Sequence, residues 1–224
     1  QKFRQDFLVE GRYLYLLQGL GNTLVITLFA IIISFFLGSL IAIVRTTHDR
    51  TGRYIVLNAL CKFYLVIIRG TPTMVQLLII YYVIFAAADV SKVLVAIVAF
   101  GINSSAYLAE VVRSGIMSID RGQSEAGRSL GLSYSQTMRL IILPQAFKNV
   151  LPAIGNELIT LLKETSISGY IGLVDLTKGS DIIRSITYDA MLPLGVVALI
   201  YLAIVLSLSS AVGTLEKKLR KNER

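Results

Sequence analysis

Long apolar stretches alternate with short polar ones along the chain. Leu20–Val44, Gly70–Ala88 and Ala190–Leu215 contain no Asp, Glu, Lys or Arg. A helix needs roughly 20 mostly apolar residues to cross a hydrocarbon core about 30 Å thick, so each is expected as a membrane span. Val93–Val112, with Glu110 as its one acid, and about Gln136–Leu162, interrupted by Pro144, Lys148, Pro152 and Glu157, are expected as two more. The expected fold class is an all-α integral membrane protein with five transmembrane helices, at about 20–44, 71–88, 93–112, 136–162 and 190–215.

Breakers and caps punctuate this pattern. Apolar character runs from Tyr54 to Ala88, too far for one crossing, and Arg69-Gly70-Thr71-Pro72 divides it. Tyr54–Ile68 is expected as a helix along the cytoplasmic interface, with Thr71 capping the next span and Pro72 in its first turn. Asp120–Leu130 reads as a separate short helix: Asp120 caps it, Gln123 stands at the capping-box position and Gly131 ends it. Ser133 and Gln136 form the next capping pair.

Hydrophobic residues make up 54% of the chain and charged ones 16%, with a mean hydropathy of +0.69, too apolar for an ordinary soluble domain. The net charge of +8 suits nucleic acid, but the spans exclude that partner and surround the chain with membrane lipid, where the placement of Lys and Arg decides. Arg45, Arg50 and Arg53, then Arg113, Arg121, Arg128 and Arg139, then Lys217, Lys218, Arg220, Lys221 and Arg224 all fall on one side of a five-span arrangement. That side is expected to be cytoplasmic and to hold the C-terminus, leaving the N-terminus outside. Residues 1–19 are expected as an amphipathic interfacial helix, residues 20–215 as the membrane domain and residues 216–224 as a basic tail. Nothing before Leu20 resembles a cleavable signal. Cys61 is the only cysteine, so neither an intrachain disulfide nor a cysteine metal cluster is expected.

Glu125-Ala126-Gly127, Gly131, Ile141, Leu143 and Pro144 reproduce the spacing E-A-A-x3-G-x9-I-x-L-P. In this the chain resembles the permease subunits of bacterial ABC importers, with Gly127 where the third position is usually Ala. Ile68-Arg69-Gly70-Thr71-Pro72 with Gln76, Ala106-Tyr107-Leu108-Ala109-Glu110 with Arg113, and Asn156 followed by Leu161–Ser166 resemble the polar amino-acid branch (histidine, arginine and glutamine permeases). The resemblance implies that the segment at about 120–131 is a coupling helix docking on an ATPase, with Arg121, Glu125, Ala126, Gly127, Arg128 and Gly131 as coupling positions. It implies a dimer of ATPase subunits carrying ATP and Mg, a second permease chain, expected as an identical copy, and an extracytoplasmic binding protein that meets the loop from Lys163 to Ser185. The setting implied is a bacterial-type inner membrane. The sequence holds no G-x4-G-K-[ST] pattern, so the chain is expected not to be an enzyme and to carry no cofactor of its own.

Polar groups at membrane depth are costly and are functional candidates by default. Asn103, beside Ser104 and Ser105, lies mid-span after a break expected at Gly101, with a second break at Pro152; broken helices expose backbone groups suited to an amino acid's charged ends. Asn103, Ser104, Tyr107, Glu110, Glu157, Glu164, Met74 and Gln76 are the candidate substrate-binding residues. The alternative for Asn103, Ser104 and Ser105 is helix-to-helix bonding, and for Tyr107 ordinary packing. Three acids lean toward a basic substrate such as arginine, lysine or histidine, against which stand pairing of Glu110 with Arg113 and of Glu164 with Lys163, and a glutamine-type importer. A secondary transporter would need a repeat that five spans do not offer. An enzyme would rest on a Ser166–Lys163 pair or on the isolated His48, with no nucleophile motif in support.

Overall fold

The computed structural model describes residues 2–221 and is helical throughout, with no strand among the described residues; Gln1 and the last three residues of the basic tail lie outside them. Helix α1 (Tyr13–Thr51) runs 39 residues without interruption and ends at left-handed Gly52. Its partner is α4 (Lys92–Met117), capped by Ser91, whose Oγ accepts from the Leu94 N–H at 3.2 Å. Small residues set how closely these two helices pack. A Cβ on Gly38 would lie 2.8 Å from the Ser105 carbonyl oxygen, and one on Gly101 would lie 2.9 Å from Ile33. Gly101 therefore does not break the helix as expected: α4 continues through it, and the missing side chain makes room for α1.

Between α1 and α4 come α2 (Ile55–Gly70) and α3 (Thr73–Ile79), the latter extended by a π-helical turn at Ile80–Ile84. The two are bent by 107° at Arg69–Pro72. α2 lays Cys61 and Leu65 against Ile41, Ala106 and Ala109 of α1 and α4. Thr71 does not cap α3; its hydroxyl turns back to the Ile67 carbonyl at 2.8 Å, and Pro72 is the residue ahead of the helix.

α5 (Arg121–Ser129) follows α4, and α6 (Tyr134–Thr137) leads through a further π-helical turn at Met138–Ile142 into α7 (Leu143–Glu164). Pro152 sits inside α7 without ending it, so this expected break is absent too. A 3-10 turn at Thr165–Ile171 leads to α8 (Leu176–Thr187), and α9 (Met191–Lys221) closes the chain. By length and composition α1, α4 and α9 are each able to cross a membrane, and the bent α2–α3 pair makes a fourth if counted as one span. α7 is not among them, being less apolar on average, yet its Ile159, Leu161 and Leu162 are buried.

The N-terminal segment is no continuous helix. It makes two short turns, Arg4–Leu8 and Val9–Gly11, with Glu10 and Gly11 at positive φ, and this reversal tucks Phe7 against Leu16, Leu176, Ile183 and Val197. α8 in turn presses on α1. Gly19 faces the backbone of Asp175 and Leu176, Asn22 Nδ2 donates to the Val174 carbonyl at 2.8 Å, and the Leu176 N–H donates to Thr23 Oγ1 at 3.2 Å.

Candidate functional site: a projecting helix and a mid-bundle polar cluster

The first candidate site stands at the α5 end of the bundle. Asp120 caps α5 by accepting from the Gly122 N–H at 2.6 Å. Gln123 does not complete a capping box and lies instead 3.5 Å from the Gln145 amide. Gly131 turns the chain at φ +78, after which Ser133 and Gln136 form the expected reciprocal pair at 3.3 and 2.9 Å. Side-chain caps of this kind help hold α5 and α6 in shape without deep burial. Arg121, Glu125, Ala126, Arg128 and Gly131 are all exposed, and of α5 only Gly127 is buried.

Gly127 has a local reason. A methyl group there would lie 2.7 Å from Thr137 Cγ2, 2.8 Å from Thr137 Oγ1 and 3.2 Å from Ile141 Cδ1. The departure from Ala at this position thus matches the threonine opposite. Beside α5 opens a cleft of about 430 Å³ lined by Asp49, Arg50, Arg121, Ser124, Glu125 and Tyr134 among others. Across it Arg50 Nη1 donates to Ser124 Oγ at 3.0 Å.

Just inside this end, four charges bind α1 to α4. Arg45 pairs with Glu110, Arg113 pairs with Asp49 at 2.8 Å, and Arg113 also lies 3.8 Å from Glu110. The Arg113 hydrogen bond holds the Asp49 carboxyl below its ordinary range. Glu110, expected among the substrate residues, has its charge matched by two arginines. Its partner Arg45 is 65 positions away in sequence, and nothing local signals the pairing.

The second candidate site is the bend between α2 and α3. A helix that stops leaves carbonyls without donors, and Gln76 supplies them: its Nε2 lies 2.7 Å from the Ile68 carbonyl, 3.1 Å from the Thr71 carbonyl and 2.7 Å from Thr71 Oγ1. Asn103 Nδ2 donates to Gln76 Oε1 at 2.9 Å. Asn103 is 1% exposed, so of its two readings the helix-to-helix bond is the one the geometry displays. Ser105 likewise joins helices, its Oγ 2.6 Å from the Tyr64 hydroxyl, which also lies 2.7 Å from the Ile102 carbonyl.

Ser104 does something different. Its Oγ donates to Glu157 Oε1 at 2.6 Å, and Glu157 lies in no ion pair among the described residues. Glu164 falls two turns further along α7 on the same face, half-buried like Glu157 and Met74. Tyr107 receives the Arg69 guanidinium over its ring, 5.6 Å from the centroid. Arg69 also lies in no ion pair among the described residues, and sequence reasoning gave it no role. Its position in the segment that divides the apolar run was the available signal; only the bend brings it to Tyr107.

A bundle of apolar helices long enough to cross a membrane, with one short, capped and mostly exposed helix at its end, defines a membrane protein. Residues 35–221 match the family described as binding-protein-dependent transport system inner membrane component, and the chain belongs to that family. It is similar to the arginine transport system permease protein ArtQ of Bacillus subtilis, 38% identical over 211 residues that span 93% of this chain and 94% of that protein. A Rickettsia typhi protein named as a glutamine transport system permease, GlnP, is 35% identical over 213 residues, 94% of this chain and 95% of that one. The crystal structure of an amino acid ABC transporter with histidines is 39% identical with a TM-score of 0.84, covering 95% of this chain and 98% of that one. The inward-facing MetNI methionine ABC transporter, at 22% identity and TM-score 0.78 over 92% of this chain and 96% of that one, shares the fold. The chain is a transport subunit of ABC type, and ATP hydrolysis belongs to a separate subunit.

Proposed function

We propose that this chain is the permease of an importer for a basic amino acid. Relatives named for arginine and for glutamine support a polar amino acid. The observation that tips the reading toward a cationic side chain is Glu157, a carboxylate in a helix of the bundle, held by Ser104 and left without a cation of its own. An unpaired acid at such a position is costly unless a cation visits it.

In this reading Glu157 and Glu164 receive the substrate's side chain and ammonium, Arg69 receives its carboxylate, and Tyr107 and Met74 line the path. Ser104 orients Glu157. Asn103 and Gln76 keep the shape of the bend, and Glu110 belongs to the charge cluster near the ATPase. α5 faces the cytoplasm and docks on the ATPase through Arg121, Glu125, Ala126 and Arg128, with Gly127 and Gly131 shaping the contact. The N-terminus lies outside, a binding protein delivers the amino acid to the α8 side, and two copies of this chain enclose the pathway. ATP binding brings the ATPase subunits together, α5 moves with them, and access alternates.

The test is ATP-dependent uptake of radiolabelled arginine, lysine, histidine, glutamine and glutamate by proteoliposomes holding the permease, its ATPase and its binding protein. Basic amino acids should be preferred, and Glu157→Gln should remove their uptake. Glutamine preference that survives Glu157→Gln would overturn the basic assignment.

A further inference from the structure

The coupling helix is tied to the rest of the bundle by few polar contacts. Gln123 and Gln145 meet at 3.5 Å, and both lie within the run of chain from α5 to α7. The remaining tie between side chains crosses to a different part of the sequence: Arg50 Nη1 donates to Ser124 Oγ at 3.0 Å, from 74 positions away. Arg50 is on the last turn of α1.

At its other end α1 is pinned again. Asn22 Nδ2 donates to the Val174 carbonyl and Thr23 Oγ1 accepts from the Leu176 N–H, while Gly19 and the backbone of Asp175 and Leu176 come too close to admit a Cβ. From Asn22 to Arg50 an α-helix spans about 40 Å. α1 is also suited to carry displacement: like α4 it has no proline and no π-helical turn, whereas α2 and α3 bend by 107° and a π-helical turn separates α6 from α7.

We infer that α1 is a strut between the coupling helix and the segment Val174–Leu176 that leads into α8. Arg50 with Ser124 is its inner pin and Asn22 with Val174 its outer pin, so that docking at one end changes the other. The inference rests on the proposed ATPase docking of α5. Ser124, Arg50 and Asn22 are positioning residues, separate from the docking positions and from the polar cluster at the bend.

The experiment uses the full transporter in nanodiscs and reads how far substrate-loaded binding protein stimulates ATP hydrolysis. Ser124→Ala and Asn22→Ala should each reduce that stimulation by about fivefold or more, the lower range of ordinary coupling between sites. Basal hydrolysis and co-purification of the ATPase should be unchanged. The double variant should be no worse than either single one, because both cut the same strut, and Ser124→Thr, which keeps the hydroxyl, should stimulate normally. Full stimulation in either alanine variant overturns the strut, as does loss of the ATPase from Ser124→Ala, which would make the contact a docking element. Absence of any stimulation in the unaltered transporter instead overturns the importer reading itself.

Discussion

Asn103 Nδ2 donates to Gln76 Oε1 at 2.9 Å while the other end of the Gln76 amide serves the carbonyls left open by the α2–α3 bend. One side chain thus stands in for a missing turn of backbone donors. Gln76→Leu should remove this and cost about 1 kcal/mol, the low end of the range for unsatisfied acceptors because the Ile68 and Thr71 carbonyls are only partly buried. Asn103→Ala leaves the Gln76 donors in place and also removes Asn103 Oδ1, which has no partner, so it should cost less. Thermal unfolding of the detergent-solubilised permease measures both, and equal losses would contradict this division of roles.

At Gly127 the expected effect is steric. Gly127→Ala improves intrinsic helix propensity but places a methyl group 2.7 Å from Thr137 Cγ2. Overpacking of this kind costs about 1–3 kcal/mol. ATP-driven uptake should fall in Gly127→Ala and recover in Gly127→Ala with Thr137→Ala. If the single variant transports normally, the crowding is relieved by movement of Thr137 alone.

These two positions show what the sequence made legible. The capping of α5 and α6 was readable because Asp120, Ser133, Gln136 and Gly131 act on neighbours a few residues away. So was the exposure of α5, once its spacing was recognised. The breaks expected at Gly101 and Pro152 failed because glycine and proline only permit a break. Gly101 was needed for the approach of Ile33, and α7 tolerates one missing N–H. The break expected at Arg69–Pro72 did form, and there Gln76 satisfies the opened backbone. Arg45–Glu110 and Ser104–Glu157 join helices far apart in sequence, and no local period reports them.

The charge cluster should behave as a unit. Glu110→Gln leaves Arg45, whose side chain is 14% exposed, facing a neutral group. Because Glu110 itself is about one third exposed, a cost of about 2 kcal/mol is expected, below that of breaking a fully buried pair. Arg45→Met combined with Glu110→Gln should recover part of the loss in a double-mutant cycle. Additive losses would show that the pair does not couple.

Acid should weaken the same cluster from another side. Asp49 has a lowered pKa because of its hydrogen bond to Arg113, so its contribution is present above the ordinary value of 3.8 and is lost as pH falls below it. Unfolding midpoints below pH 4 should drop less steeply in Asp49→Asn than in the unaltered chain.

Asp175 gives the opposite sign. Burial pushes its carboxyl up to about 6, although the N–H groups of Lys178 and Gly169 draw it back. Its protonated form therefore favours the folded state. Stability from this group should be lowest above pH 6 and rise as pH falls from about 6 toward 4, by at most on the order of 2–3 kcal/mol. Calorimetry of the solubilised permease should show the rise, and Asp175→Asn should flatten it. A midpoint that does not change between pH 7 and pH 5 would count against the buried carboxylate.

The close packing of α1 on α4 restricts how the molecule changes shape. Gly38 against Ser105, and Gly101 against Ile33, interlock the two helices at separate points along their length. Sliding one past the other by a turn would bring larger residues to both points, where there is no room. α1 and α4 are therefore expected to move as one rigid body. Relative motion is then left to the helices around them, and the 107° bend between α2 and α3 is one place where it can be taken up.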